Sequence, residues 1–164
     1  DSGELPLRVT HNDTKLNNVL FDRRTRKALC VLDLDTVMPG SSLYDYGDSI
    51  RFGASTAAED EKDLSRVTMS LELFETYTEG FLRACGARLT QAEIDTLPMG
   101  AKLMTLECGS RFLADYLNGD IYFHVSREGH NLDRARTQMK LVADMEDKWD
   151  RMNAIVQEAA QKVR

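Results

Sequence analysis

The feature that most limits the fold is a pair of short apolar runs, NVLFD and ALCVLD. They are separated by polar RRTRK within HNDTKLNNVLFDRRTRKALCVLDLD, the stretch opening at His11. Runs this short, rich in Val, Leu and Phe and split by a polar segment, predict a β-hairpin. If the hairpin is centred near Thr25–Arg26, Asn18 falls opposite Asp33. Directly opposed residues share a face, with Cβ atoms about 4.5–5.5 Å apart. A carboxamide and a carboxylate at that separation can share Mg²⁺, which takes oxygen ligands. Asp13 lies just before the hairpin, close enough to reach the same place. Val19, Phe21, Cys30 and Leu32 should point one way and Leu20 and Val31 the other, so the pair is expected to be buried on both sides.

Phosphoryl transfer needs a group that positions the attacking hydroxyl and cations over the phosphate oxygens. The protein-kinase catalytic loop is written H-R-D-x-x-x-x-N, with a metal-binding Asp further on. Here His11-x-Asp13, Asn18 and then Asp33 at a strand end repeat that order and spacing. Lys15 stands where its charge could meet the transferred phosphate. The segment resembles the catalytic core of kinase-like small-molecule phosphotransferases, the aminoglycoside phosphotransferase and choline kinase superfamily. HNDTKLNNVLFD followed by VLDLDTVMPG is most similar to the N-acetylhexosamine 1-kinase group.

The resemblance implies roles residue by residue. Asp13 would be the catalytic base with Lys15 beside it, and Asn18 and Asp33 would hold Mg²⁺. His11 would support the loop. Asp45, in the triplet Asp45-Tyr46-Gly47, would begin the next helix and bond the catalytic-loop backbone; the bland alternative is a helix N-cap. In the block RFLADYLNGDIYF, Arg111 and Tyr122 would contact the acceptor, and Asp35 is a further candidate for acceptor or water-mediated metal contact. An Arg fork and a phenol suit a neutral polyhydroxylated ligand bearing an amide, while choline would want an aromatic cage. The competing reading of Arg111 is an i,i+4 ion pair with Asp115.

Composition sets outer bounds. At 164 residues the chain can bury the core of one domain. A net charge of −6 argues against a sequence-independent nucleic-acid partner. Cys30, Cys85 and Cys108 are odd in number and lack C-x-x-C spacing, which favours reduced, buried thiols and a cytoplasmic setting. No apolar run reaches membrane-spanning length, so no membrane partner is expected. Only ten residues precede His11, and no Gly-rich or Walker pattern appears. Residues 1–164 are therefore expected to be a C-terminal catalytic lobe whose nucleotide-binding lobe lies elsewhere, and a poor enzyme alone.

The fold class expected is α+β, mainly α: the catalytic lobe of a protein-kinase-like fold, with a small hairpin and several helices. Residues 1–10 read as an irregular lead-in, with Leu7 and Val9 packing beneath the catalytic loop. Asp48 and Arg51 read as a helix-surface pair, and ASTAAEDEKD as an exposed loop. Leu71, Phe74, Thr78, Phe81 and Leu82 form a helical face that Gly86 ends. Thr90 and Glu93 form a capping box, and Pro98 opens the next helix, which runs to Leu117. IYFHV should run on extended. Steps of three and four from Leu132 to Ala159 predict one continuous amphipathic helix. His124 and His130 have no second ligand at metal spacing and should be surface or structural.

The expected function is ATP- and Mg²⁺-dependent transfer of phosphate to a small-molecule hydroxyl, with a sugar acceptor, the anomeric hydroxyl of an N-acetylhexosamine. Two other classes compete. VLDLDT matches the D-x-D-x-(T/V) motif of haloacid-dehalogenase-type phosphatases, but that fold needs alternating strands and helices. A non-enzymatic helical binding domain would use the charged face of the last helix.

Overall fold

The computed structural model describes residues 5–163; the first four residues of the expected lead-in lie outside them. Strands β1 (Arg8–Thr10), β2 (Val19–Phe21), β3 (Ala28–Val31) and β4 (Met38–Gly40) come first. Six helices follow: α1 (Ser42–Gly53), α2 (Leu71–Cys85), α3 (Gln91–Asp95), α4 (Leu97–Leu117), α5 (His130–Asp147) and α6 (Trp149–Val163). The class is α+β and mainly α, with two antiparallel two-stranded sheets, β1–β4 and β2–β3.

The lead-in is not irregular: Arg8–Thr10 pairs with Met38–Gly40. Nor do its apolar residues pack under the loop, since Leu7 is 76 % and Val9 83 % exposed. Thr10 turns inward instead, its hydroxyl donating to Asn12 Oδ1 (2.9 Å) and the Met38 carbonyl (3.1 Å). Because this strand is short and on an edge, alternation alone sends Val9 to solvent.

The β2–β3 hairpin forms, but its register is one residue off the expected one. Val19 pairs with Val31 and Leu20 with Cys30, and a bulge then sets Phe21 against Ala28. Asn18 therefore meets Leu32, whose N–H donates to the Asn18 carbonyl at 2.8 Å, and does not lie opposite Asp33. The turn explains the shift. Asp22 Oδ1 accepts from the N–H groups of Arg24 and Thr25, and Arg26 takes a positive φ of 56°, which moves the turn centre. The hairpin is also not buried on both faces: Leu20, Phe21, Leu29, Val31 and Leu32 are all exposed, and so is Cys30.

The core lies between the helices, built from Leu43, Tyr46, Ile50, Phe74, Leu82, Leu97, Leu141, Met145, Met152 and Ile155 with their neighbours. α1 and α4 cross at glycines. A Cβ on Gly47 would sit 2.2 Å from the Gly100 carbonyl oxygen, so only hydrogen permits this approach. Gly86 caps α2, and Thr90 and Glu93 form a capping box at α3. Pro98 occupies the first turn of α4, where its missing N–H costs nothing.

The expected single terminal helix is two. It breaks at Lys148, whose ammonium donates to Asp144 Oδ2 (2.6 Å), Thr68 Oγ1 (2.6 Å) and the Met69 carbonyl (2.8 Å). Asp144 also accepts from the Met69 N–H at 2.7 Å. This polar knot pins the break to the loop before α2. The apolar stripe carries through the break because each half still buries its own face, α5 on α4 and α6 on α2.

Candidate active site

Three long-range clamps shape the loop from His11 to Asn18. Asp45, in the first turn of α1, accepts the backbone N–H of His11 (2.9 Å) and of Asn12 (2.7 Å). Ser41, not Asp45, is the N-cap of that helix. Asn12 takes a left-handed φ of 64°, a conformation Asn tolerates better than most residues. Its side chain donates to the Thr36 carbonyl at 3.0 Å. His11 bridges loop and hairpin: Nε2 donates to the Leu32 carbonyl (2.8 Å), and Nδ1 accepts from the Asp13 N–H (3.3 Å).

These constraints bring three of the chemically interesting side chains together. Asp13 Oδ2 accepts from Asn18 Nδ2 at 2.8 Å, and Asp13 Oδ1 lies 3.1 Å from Lys15 Nζ. Asn18 also donates to the Asp13 carbonyl at 2.9 Å, so both of these side-chain hydrogen bonds use Nδ2. Asp33, which sequence spacing set across a ladder from Asn18, follows Leu32 and stands past the end of that ladder. It takes a left-handed φ of 61° and caps the short turn Leu34–Thr36, which brings its carboxyl against Asp35. A hydrogen bond and charge repulsion from Asp35, helped by the nearby Asp13 charge, push the Asp33 carboxyl above its usual range, while Lys15 pulls the other way.

Carboxylates crowded this way gain from a cation. Among the described residues no three His, Cys, Asp or Glu side chains form a ready metal cage. The oxygen donors that could hold Mg²⁺ are the carboxylates of Asp33 and Asp35 and the side-chain Oδ1 of Asn18. Mg²⁺ takes one or two protein oxygens and completes its shell with substrate phosphates and water.

Asp13 and Lys15 stand between two cavities. One, about 480 Å³, is lined largely by apolar groups, among them Leu16, Val19, Val31, Ile50, Leu73 and Tyr77. The other, about 510 Å³, is polar and contains Arg111 and Tyr122 as well as Asp13. Arg111 does not pair with Asp115. Its guanidinium lies 3.6 Å from Glu107 and stacks 5.6 Å from the Tyr122 ring and 5.3 Å from that of Phe123.

Asp115 has a different task. It accepts the N–H groups of Ile121 (3.1 Å), Tyr122 (2.9 Å) and Phe123 (2.9 Å), and Asn131 Nδ2 at 2.9 Å. Burial opposes its ionisation, but these donors outweigh burial and hold its carboxyl below the usual range. The segment after α4 is thus a loop wound round a carboxylate, not the extended run expected of IYFHV. His130 is structural: it is buried, with Nδ1 accepting from the Ser126 N–H and Nε2 3.2 Å from Asp60.

Sequence reading missed one wall of the polar cavity. Asp48 and Arg51 do pair, at 2.9 Å, but both are buried. Arg51 continues to Glu59 at 2.7 Å, and Arg134 approaches Glu59 at 3.8 Å. The i,i+3 spacing of Asp48 and Arg51 was visible, but nothing local said that α4 would cover them. Glu59 lay in a stretch whose acidity reads as solvation.

The family model described as the phosphotransferase enzyme family matches residues 1–79. The match supports a kinase-like, ATP-dependent phosphotransferase. It takes in the loop from His11 to Asn18, Asp33, Asp45 and the Asp48–Arg51–Glu59 wall, while Arg111, Tyr122 and Asp115 lie outside it. Both sheets are antiparallel pairs, which gives no support to a phosphatase built on alternating strands and helices. Among the described residues no helix is long and apolar enough to cross a membrane.

Proposed function

We propose that this chain is the catalytic, acceptor-binding lobe of an ATP- and Mg²⁺-dependent kinase acting on a neutral sugar, with the anomeric hydroxyl of an N-acetylhexosamine as acceptor. The observation that carries the acceptor class is the charge balance of the cavity containing Asp13. Four acids (Asp13, Asp48, Glu59, Glu107) face four cations (Lys15, Arg51, Arg111, Arg134). A polycationic aminoglycoside would want an excess of carboxylates there. A neutral polyol finds both donors and acceptors, and the Phe112, Tyr122 and Phe123 rings offer apolar faces to a sugar ring.

In this reading the acceptor hydroxyl sits against Asp13 Oδ1 or Oδ2. Its oxygen forms the new bond to the γ-phosphorus while the bond to the leaving ADP oxygen breaks, and Asp13 takes the proton as that bond forms. Lys15, already beside Asp13, faces the transferring phosphoryl oxygens. Arg111 and Tyr122 orient the sugar. Asn18 and Asp33, with Asp35 alongside, would hold Mg²⁺, which supplies positive charge to the phosphate oxygens. His11 and Asp45 keep the loop in shape.

The nucleotide would lie between the hairpin and a separate nucleotide-binding lobe. The exposed Leu20, Phe21, Leu29 and Val31 side chains support this, since apolar strand residues left in solvent are surfaces for another layer. A radiolabelled phosphate-transfer screen of the full-length protein over hexosamines, hexoses, choline and aminoglycosides tests the assignment. Transfer to an N-acetylhexosamine is the expected result. Transfer to aminoglycosides or choline with none to any sugar would overturn it.

A further inference from the structure

Residues 59–61 lie in the acidic stretch between α1 and α2 that composition assigns to solvent, yet every one of them is tied down. Glu59 is held by Arg51 (2.7 Å) with Arg134 at 3.8 Å. Asp60 meets Arg127 (3.2 Å) and His130 (3.2 Å). The Glu61 carbonyl accepts from Thr137 Oγ1 at 3.2 Å. Four of these partners, Arg127, His130, Arg134 and Thr137, come from α5 or the turn just before it. Exposed surface pairs are worth little each, but a loop gripped at three successive residues by one helix is fixed in place.

The fixing has a direction. Arg51 is only 6 % exposed and is neutralised by Asp48, so the pair is a rigid base for Glu59. Glu59 itself is partly open and lines the same cavity as Asp13, Arg111 and Tyr122. Among the described residues, three buried side-chain polar atoms have no hydrogen-bond partner: Asp48 Oδ2, Arg134 Nε and Gln138 Oε1. All three residues border Glu59 or Arg51, in the polar cavity or the small one adjoining it. Buried polar groups are normally satisfied, so three orphans along one wall set it apart from the rest of the described interior.

We infer that Glu59 is a specificity-determining residue, whose carboxylate accepts a hydrogen bond from an acceptor hydroxyl other than the one phosphorylated. The inference rests on the sugar-kinase reading and adds to it the group that selects the acceptor. With Oε1 on Arg51, Oε2 faces Arg134 and the cavity, and a sugar hydroxyl there completes its shell. Arg134 gains a partner if Glu59 draws in on binding. Burying a hydroxyl against a charged acceptor discriminates strongly against an analogue lacking that hydroxyl, because the carboxylate is then left unpaired.

The test is a steady-state comparison of wild-type and Glu59→Gln full-length protein on an N-acetylhexosamine and its monodeoxy analogues. Glutamine keeps the length and the Arg51 contact while halving the acceptor capacity. The acceptor KM should rise about ten-fold or more, as expected for a hydrogen bond to a charged group, with the KM for ATP unchanged. One deoxy analogue should lose that same factor with the wild type and lose nothing further with Glu59→Gln. An unchanged acceptor KM, or equal losses for that analogue in both proteins, overturns the inference while leaving the sugar kinase standing. If Glu59→Gln does not fold, the wild-type deoxy series decides alone: uniform KM values across it overturn the inference. No transfer to any sugar removes the parent reading and this one with it.

Discussion

Asp45 Oδ1 accepts the backbone N–H of Asn12 at 2.7 Å, and through that bond helix α1 dictates the shape of a loop more than thirty residues earlier in the chain. The other oxygen takes the N–H of His11, so one carboxylate satisfies two successive donors beside a left-handed residue. Without it, the loop that sets Asp13 against Asn18 keeps, at His11 and Asn12, its bonds to Leu32 and Thr36.

Asp45→Ala should therefore cost both stability and activity. Two N–H groups lose a charged acceptor, which corresponds to about 2 kcal/mol or more. Urea unfolding should show a lower midpoint with an unchanged slope, and phosphate transfer should fall further than the loss of folded protein explains. A variant as stable and as active as the wild type would show that the loop holds its shape unaided.

Asp115 makes a second prediction of positioning at a distance. Asp115→Asn keeps the shape but replaces one acceptor oxygen with an amide that cannot serve the Ile121–Phe123 N–H groups equally. Hydrogen exchange at residues 121–123 should speed up, and the acceptor KM should rise with the KM for ATP unmoved. Unchanged exchange would mean that the loop is held by ring packing alone.

Glu93 predicts an acid limit. It is buried in the α3 capping box. Burial opposes its charge, but Arg8 (2.7 Å), the Thr90 N–H (2.7 Å) and Ser42 (2.8 Å) together hold its carboxyl down at about 2 against an ordinary 4.5. Because the folded value is depressed, its contribution is fully present above pH 4.5 and is lost as pH falls from there through about 2. With Arg8 partly in solvent, the contribution is on the order of 2 kcal/mol. Glu93→Gln should be less stable than the wild type at pH 7, with the gap closing as pH falls through that window. A gap that stays constant with pH would rule this out.

How far the sequence could be read depended on the range of the interaction. Local signals were legible: the hairpin from its two apolar runs, the Thr90–Glu93 box, Pro98 at a helix start and Gly86 at a helix end. The catalytic-loop spacing named Asp13 and Asn18, which do meet. The register of Asn18 was misread by one residue because a bulge and the positive φ of Arg26 are set by turn hydrogen bonds, not by hydrophobic alternation. Lys148 breaks the last helix by bonding Thr68 and Met69, partners some eighty residues away that no periodicity reveals. The Asp48–Arg51–Glu59 wall was hidden for the same reason: charged residues announce burial only once the partner that neutralises them is in place.

The most direct measurement is the rate of phosphate transfer from labelled ATP to an N-acetylhexosamine by full-length wild-type and Asp13→Asn protein with Mg²⁺ present. If Asp13 is the base proposed to position the acceptor hydroxyl, the substitution should lower kcat about 10²–10⁴-fold, with the melting temperature and the KM for ATP unchanged. An Asp13→Asn protein that transfers phosphate within a few-fold of wild type would contradict the account.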